Sequence, residues 1–158
     1  KGMSIMDSAI KSFSIFHIPI FMSIAYNNRG VGRFIMEDFE GAKQDWVKSM
    51  NYAKEAKSSF AGGLSLPNLA DTSMKQGDFK KAKEYLDRSR SILEKLKDRE
   101  GLAMVEFNEA LLKVETGDID SGVEIYLKKE SMPLVLISPD MNRILEMDFI
   151  KRCKEKRS

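Results

Sequence analysis

Three asparagines stand 40 residues apart in this chain: Asn28, Asn68 and Asn108. A carboxamide carries donors and an acceptor on a short stem, so it can pair with a peptide bond whatever side chains flank that bond. The other reactive residue types offer less. His17 is the only histidine and Cys153 the only cysteine, which leaves no cluster of the kind that holds a transition metal. Glu37, Asp38 and Asp45 bring carboxylates together, but Asp38 follows a turn and reads as a helix cap. The segment Gly30-Val31-Gly32 has no strand before it and no Lys-Ser/Thr after it, so it is not a phosphate loop. No nucleophile, base and orienting group stand together, so neither an enzymatic activity nor a cofactor is expected.

The elements that must position those amides are visible as a repeat. At a shift of 40, small residues recur as Gly30, Ala70 and Ala110, and again as Ala42, Ala82 and Gly122. Bulky ones recur as Trp46, Leu86 and Tyr126. Between them lies a turn signal, Glu37-Asp38, Gly77-Asp78 and Gly117-Asp118, followed by Phe39, Phe79 and Ile119. Glycine ends helices and aspartate caps the next one, so each unit reads as helix, tight turn, helix. The small residues let the two helices approach, and the bulky one fills the space where they diverge. Such a hairpin cannot bury its apolar face alone and must stack on copies of itself.

The map is all-α, with eight helices over 2–17, 19–36, 39–57, 60–76, 79–97, 99–116, 119–131 and 139–156. Residues 1–18 read as the second helix of a truncated unit. Residues 19–58, 59–98 and 99–137 are three units, and 138–158 form a capping helix with Ser138 as N-cap, Pro139 in the first turn and an apolar stripe of Ile144, Leu145 and Phe149. Pro67 requires either a late start near Ser65 or a kink. The run 133–137 is extended at most, without a partner strand. His17 is expected to be a packed or capping residue in a turn, and 13–26 a buried hairpin too short to cross a bilayer.

Composition agrees with one domain. The chain has 158 residues, 42% of them apolar and 32% charged, with a net charge of +2. That balance fits a helical domain with a real core and gives no field that draws nucleic acid or acidic lipid. The basic tail over 151–157 reads as a helix end complementing its dipole. One cysteine allows no internal disulfide, which points to a reducing, cytoplasmic setting. A start in mid-repeat suggests a piece of a longer chain.

The order of residues in "YNNRG…EDFEGAKQDW" and "LPNLA…QGDFKKAKEYL" resembles the tetratricopeptide repeat family. The period of 40 is similar to its longer-helix subclass, found in kinesin light chains, Pins-type adaptors and bacterial peptide-sensing regulators. Arg29 and Glu109 depart from that pattern, standing where the family has leucine, and so do Glu106 and Lys129. The third unit is accordingly expected to be rotated, burying Phe107, Ala110, Leu111 and Val114.

The resemblance implies a right-handed α-solenoid whose first helices line a concave groove, with Asn28, Asn68 and Asn108 facing it. Packed helices lie ~8–10 Å apart and an extended peptide advances ~3.3 Å per residue, so one amide would meet about every third peptide residue. Asn27, Val31, Ile35, Asp71, Lys75, Met104 and Leu111 would supply selectivity, with Asp71 and Lys75 as an i,i+4 pair. The expected function is a peptide-binding or partner-binding module. Analogy of fold alone extends this to the sensor of a signalling ATPase or a transcription regulator. No small-molecule substrate or membrane is expected. Two alternatives stand beside it. The asparagines hydrogen-bond neighbouring helices and no more, or the chain self-associates through Met3, Ile5, Met6, Ile10 and Phe13.

Overall fold

The structure, a computed structural model, describes residues 2–129 and 139–158. The expected run at 133–137 and the Ser138 cap lie outside the described residues, as do the side chains of Met3, Ile144 and Leu145. All the described secondary structure is helical: α1 Gly2–Ile15, α2 Pro19–Ile35, α3 Phe39–Glu55, α4 Ser59–Lys75, α5 Phe79–Leu96, α6 Arg99–Glu115, α7 Ile119–Lys129 and α8 Pro139–Arg157.

The turns explain these limits. One residue in each of six turns has a positive φ: His17, Glu37, Lys57, Gly77, Lys97 and Gly117. They fall 20 residues apart, so the backbone repeats at half the period of the sequence. In every one of the six, the next amide bonds back to the carbonyl five residues earlier, as Asp38 N to Arg33 O at 2.9 Å and Ser58 N to Ala53 O at 2.9 Å. This left-handed C-terminal turn satisfies carbonyls that the helix end leaves open. Asp38, Asp78 and Asp98 then cap the following helix through Gly41 N, Lys81 N and Gly101 N.

Each helix packs on its successor through α1 to α7, and α2–α4, α4–α6 and α6–α8 pack as well. The α2–α3 pair is antiparallel. Its cross-contacts run from Ser23–Ser49, through Asn27 O–Trp46 Nε1 and Arg29–Asp45, to Arg33–Gly41 beside the turn. Ala42 and Trp46 are buried with Leu69, and Val31 and Phe34 pack on them. A Cβ on Gly30 would stand 2.5 Å from Trp46 Nε1. The glycine is therefore the residue that the indole requires, whereas the smaller Leu86 is met by alanine at 70.

Pro67 neither delays nor breaks α4, which runs through it. The proline has no N–H for the carbonyl of Gly63, one turn back. Ser89 Oγ of α5 donates to that oxygen at 2.9 Å. Ser49, 40 residues before Ser89, makes the equivalent bond, its Oγ donating to Ser23 O at 2.8 Å, although no proline deprives that carbonyl of its helical N–H.

The third unit buries Phe107, Ala110, Leu111 and Val114. Phe149 of α8 stacks on Tyr126 at 4.4 Å between centroids and packs on Phe107, closing that apolar end. The segment 13–26 is buried on one side only. Met22, Ser23 and Ala25 point inward, while Ile15, Phe16, Phe21 and Ile24 are exposed. His17 is not packed in the core; it is exposed and its Nε2 lies 2.7 Å from Glu55 Oε1. No helix among the described residues is long and apolar enough to cross a membrane.

Candidate functional site

The three asparagines occupy different environments. Asn28 is exposed on α2 and Asn68 half-buried on α4. Asn108 on α6 is 4% exposed, and its Nδ2 donates to its own helix at Met104 O over 2.9 Å. That position faces inward with Phe107, Ala110 and Leu111, so Asn108 has a structural bond and no open face. Leu111 follows it into the core, at 1% exposure, rather than lining a groove.

Asn27 ties the first two together. Its Oδ1 accepts from Asn68 Nδ2 at 3.2 Å and from Ser65 Oγ at 3.2 Å, while its Nδ2 approaches Asn28 Oδ1 at 3.5 Å. Behind it lies a buried hydroxyl chain. Ser65 Oγ is 2.9 Å from Ser49 Oγ, and Ser23 and Ser49 each donate to the other's carbonyl. Two side chains of α4 thus fix the Asn27 amide, with Ser49 of α3 behind Ser65. Among the described residues, Asn28 Nδ2 and Asn68 Oδ1 have no protein partner. One is a donor and the other an acceptor, the pair of functions that a backbone peptide group requires.

The other predicted residues divide. Val31 packs on the Trp46 cluster and Met104 is half-buried, whereas Ile35 and Lys75 are exposed. Asp71 does not form the expected ion pair with Lys75. Its Oδ1 lies 3.0 Å from Arg152 Nη2 of α8, because that guanidinium offers a buried fork. Arg152 is 3% exposed and also meets Asp148 at 2.8 Å and Glu115 at 3.3 Å. Burial pushes the Asp71 carboxyl above its ordinary value, with Arg152 pulling the other way. Asp148 stands 40 residues after Asn108 and continues the amide column as a carboxylate. The spacing is a signal in the sequence, masked by the change from amide to acid.

Both departures at the leucine column are paired. Arg29 grips the fully buried Asp45 with two bonds of 2.8 and 2.7 Å and reaches Asp7 of α1 at 2.6 Å. The Asp45 bonds, opposed by burial and reinforced by Asp7, hold the guanidinium above its ordinary value. Glu109 receives Arg90 of α5 at 3.1 and 2.6 Å. Among the described residues no three His, Cys, Asp or Glu side chains could hold a metal ion.

What this arrangement offers chemically is an open donor on Asn28 and an open acceptor on Asn68, the latter held by Asn27, beside exposed side chains. No protein-family model matches the chain, and no curated protein matches it.

Proposed function

We propose that this is a tetratricopeptide-type module, a right-handed solenoid of helical hairpins that binds an extended peptide or partner segment and performs no chemistry of its own, in a reducing cytoplasmic setting. The observation that carries the reading is the amide pair, Asn28 Nδ2 and Asn68 Oδ1, left open while Asn27 is clamped from behind. An amide already oriented loses little freedom on binding, which is where much of the cost of recognition lies. The identical turns every 20 residues and the packing of α2 on α4, α4 on α6 and α6 on α8 support the solenoid. The groove in this reading is shorter than three units, since Asn108 is spent internally. Ile35 and Lys75 supply exposed apolar and basic contacts beside it.

The test is capture of partner proteins by the wild type and by Asn28→Ala/Asn68→Ala, identified by mass spectrometry. The double variant should lose specific partners while losing no more stability than the Asn68–Asn27 hydrogen bond is worth, about 1 kcal/mol. Asn108→Ala should lower the melting temperature and keep the partners. An unchanged set of captured proteins in the double variant sinks the reading.

A second reading is favoured by the exposed Ile5, Ile15, Phe16 and Phe21 of α1 and α2. In it the chain self-associates through that end. Of the residues expected at this interface, Ile10 is buried, and Phe13 is partly buried against Phe21. Sedimentation across a range of concentrations decides: a constant monomer mass removes this reading.

A further inference from the structure

On the α3–α5 side, away from the amide pair, lies a cavity of about 380 Å³. That volume falls in the range of small-ligand pockets, ~300–1,000 Å³. Its apolar lining is Met50 and Ala53 of α3, Leu66 of α4 and Ile92 of α5. Lys54, Lys57 and Arg88 line it too, from both walls, and no acidic side chain among the described residues does.

Several arginines elsewhere are neutralised, and the cations at this cavity are not. Arg29, Arg33, Arg90, Arg152 and Arg157 each meet a carboxylate. Among the described residues, the side chains of Lys54, Lys57 and Arg88 meet none. Ser59 opens α4 in the same lining, so the first-turn amides of a 17-residue helix add the positive end of a dipole. Three unneutralised cations around an apolar lining match one ligand chemistry, a negative headgroup on an apolar stem.

We propose that this cavity binds a small amphipathic anion, a carboxylate or phosphate carried on an apolar chain. The stem lies against Met50 and Ile92. The headgroup takes charge-assisted hydrogen bonds from Arg88 and Lys54. This site is independent of the amide pair.

The experiment is calorimetric titration of the whole chain with decanoate and with decyl phosphate, below the concentrations at which either aggregates. Decyltrimethylammonium carries the same stem with the opposite charge. At least one anion should bind saturably with a stoichiometry of one, and whichever binds more tightly identifies the headgroup. In Lys54→Glu/Arg88→Glu affinity should fall about tenfold or more, the equivalent of one lost charge-assisted bond. Both side chains are exposed, and Lys57, which holds the left-handed turn, is left in place. Lys54→Gln/Arg88→Gln repeats the test without introducing acid. Asn28→Ala/Asn68→Ala should bind like the wild type. The proposal is overturned if neither anion saturates, if both charge variants bind as well as the wild type, or if the ammonium amphiphile binds equally.

Discussion

Ser89 Oγ donates at 2.9 Å to the carbonyl of Gly63, the one that Pro67 leaves without its helical N–H. A proline inside a helix ordinarily costs about 3 kcal/mol, partly through that orphaned oxygen. Here a hydroxyl from the next helix supplies the missing donor, so α4 continues unbroken and its packing on α5 is fixed at the same point.

Removal of the hydroxyl is therefore conditional in its effect. Ser89→Ala should destabilise by about 1–3 kcal/mol, the range for a buried polar group left unsatisfied. In a Pro67→Ala background an N–H returns to Gly63 O, and the same serine substitution should cost distinctly less. Urea denaturation of the four proteins measures the coupling. Equal costs in both backgrounds would show that Ser89 matters only for packing.

Gly30 and Trp46 form a second dependent pair. Gly30→Ala forces a methyl against the indole and should cost about 1–3 kcal/mol, as overpacking does. Gly30→Ala/Trp46→Leu recreates the alanine and leucine found 40 residues on, at 70 and 86, which lie in one buried cluster. The double variant should be more stable than the sum of the two single losses allows. Strict additivity in thermal or chemical unfolding would mean that the contact at 2.5 Å is relieved by a small backbone shift.

The contrast between these pairs and the ion pairs shows where the sequence was legible. Small and bulky columns declared the helices and their order, because packing at a helix crossing allows few alternatives. Aspartate caps at 38 and 78 were equally plain, since a cap acts on a backbone amide three residues away. The turns were legible only in part. Gly77 and Gly117 advertise a left-handed residue, but Glu37, Lys57 and Lys97 adopt the same conformation without being glycine. The site was less legible still. Asn28, Asn68 and Asn108 look alike in sequence, yet burial separates them, and burial depends on the rotation of each unit about its own axis. The partners of Asp71 and Asp45 lie on other elements at distances along the chain that no local pattern encodes.

Arg29–Asp45 and Arg90–Glu109 occupy related places and should differ in worth. Asp45 is fully buried, whereas the Arg90 and Glu109 side chains are 32% and 28% exposed. Asp45→Ala strips the largely buried Arg29 of its bidentate partner and Arg33 of its 3.2 Å contact, and should cost about 3 kcal/mol or more. Glu109→Ala should cost about 1 kcal/mol or less, since solvent screens that pair. Replacing both members, as Arg29→Leu/Asp45→Leu, should recover much of the first loss, because an apolar pair carries no desolvation penalty. Chemical denaturation at two salt concentrations checks this. A cost for Glu109→Ala equal to that of Asp45→Ala would contradict the assignment of burial.

Asp71 makes stability depend on pH in a direction opposite to the usual aspartate. Burial raises its carboxyl above the ordinary value of 3.8, against the pull of Arg152 and Lys75 and with Asp148 adding to the rise. Between 3.8 and that raised value the folded chain holds a proton that the unfolded chain has released. The folded state binds more protons there, so stability falls as pH rises through the window. The contribution of this group is complete below 3.8 and is lost above the raised value. Asp71→Asn imitates the protonated form and removes the dependence. At neutral pH the variant should be at least as stable as the wild type, and the difference should shrink as the solution is acidified. Urea unfolding of both proteins across the acid range gives the two slopes. If the variant is the weaker protein at neutral pH and overtakes the wild type in acid, the attraction of Arg152 outweighs burial and the carboxyl is lowered rather than raised.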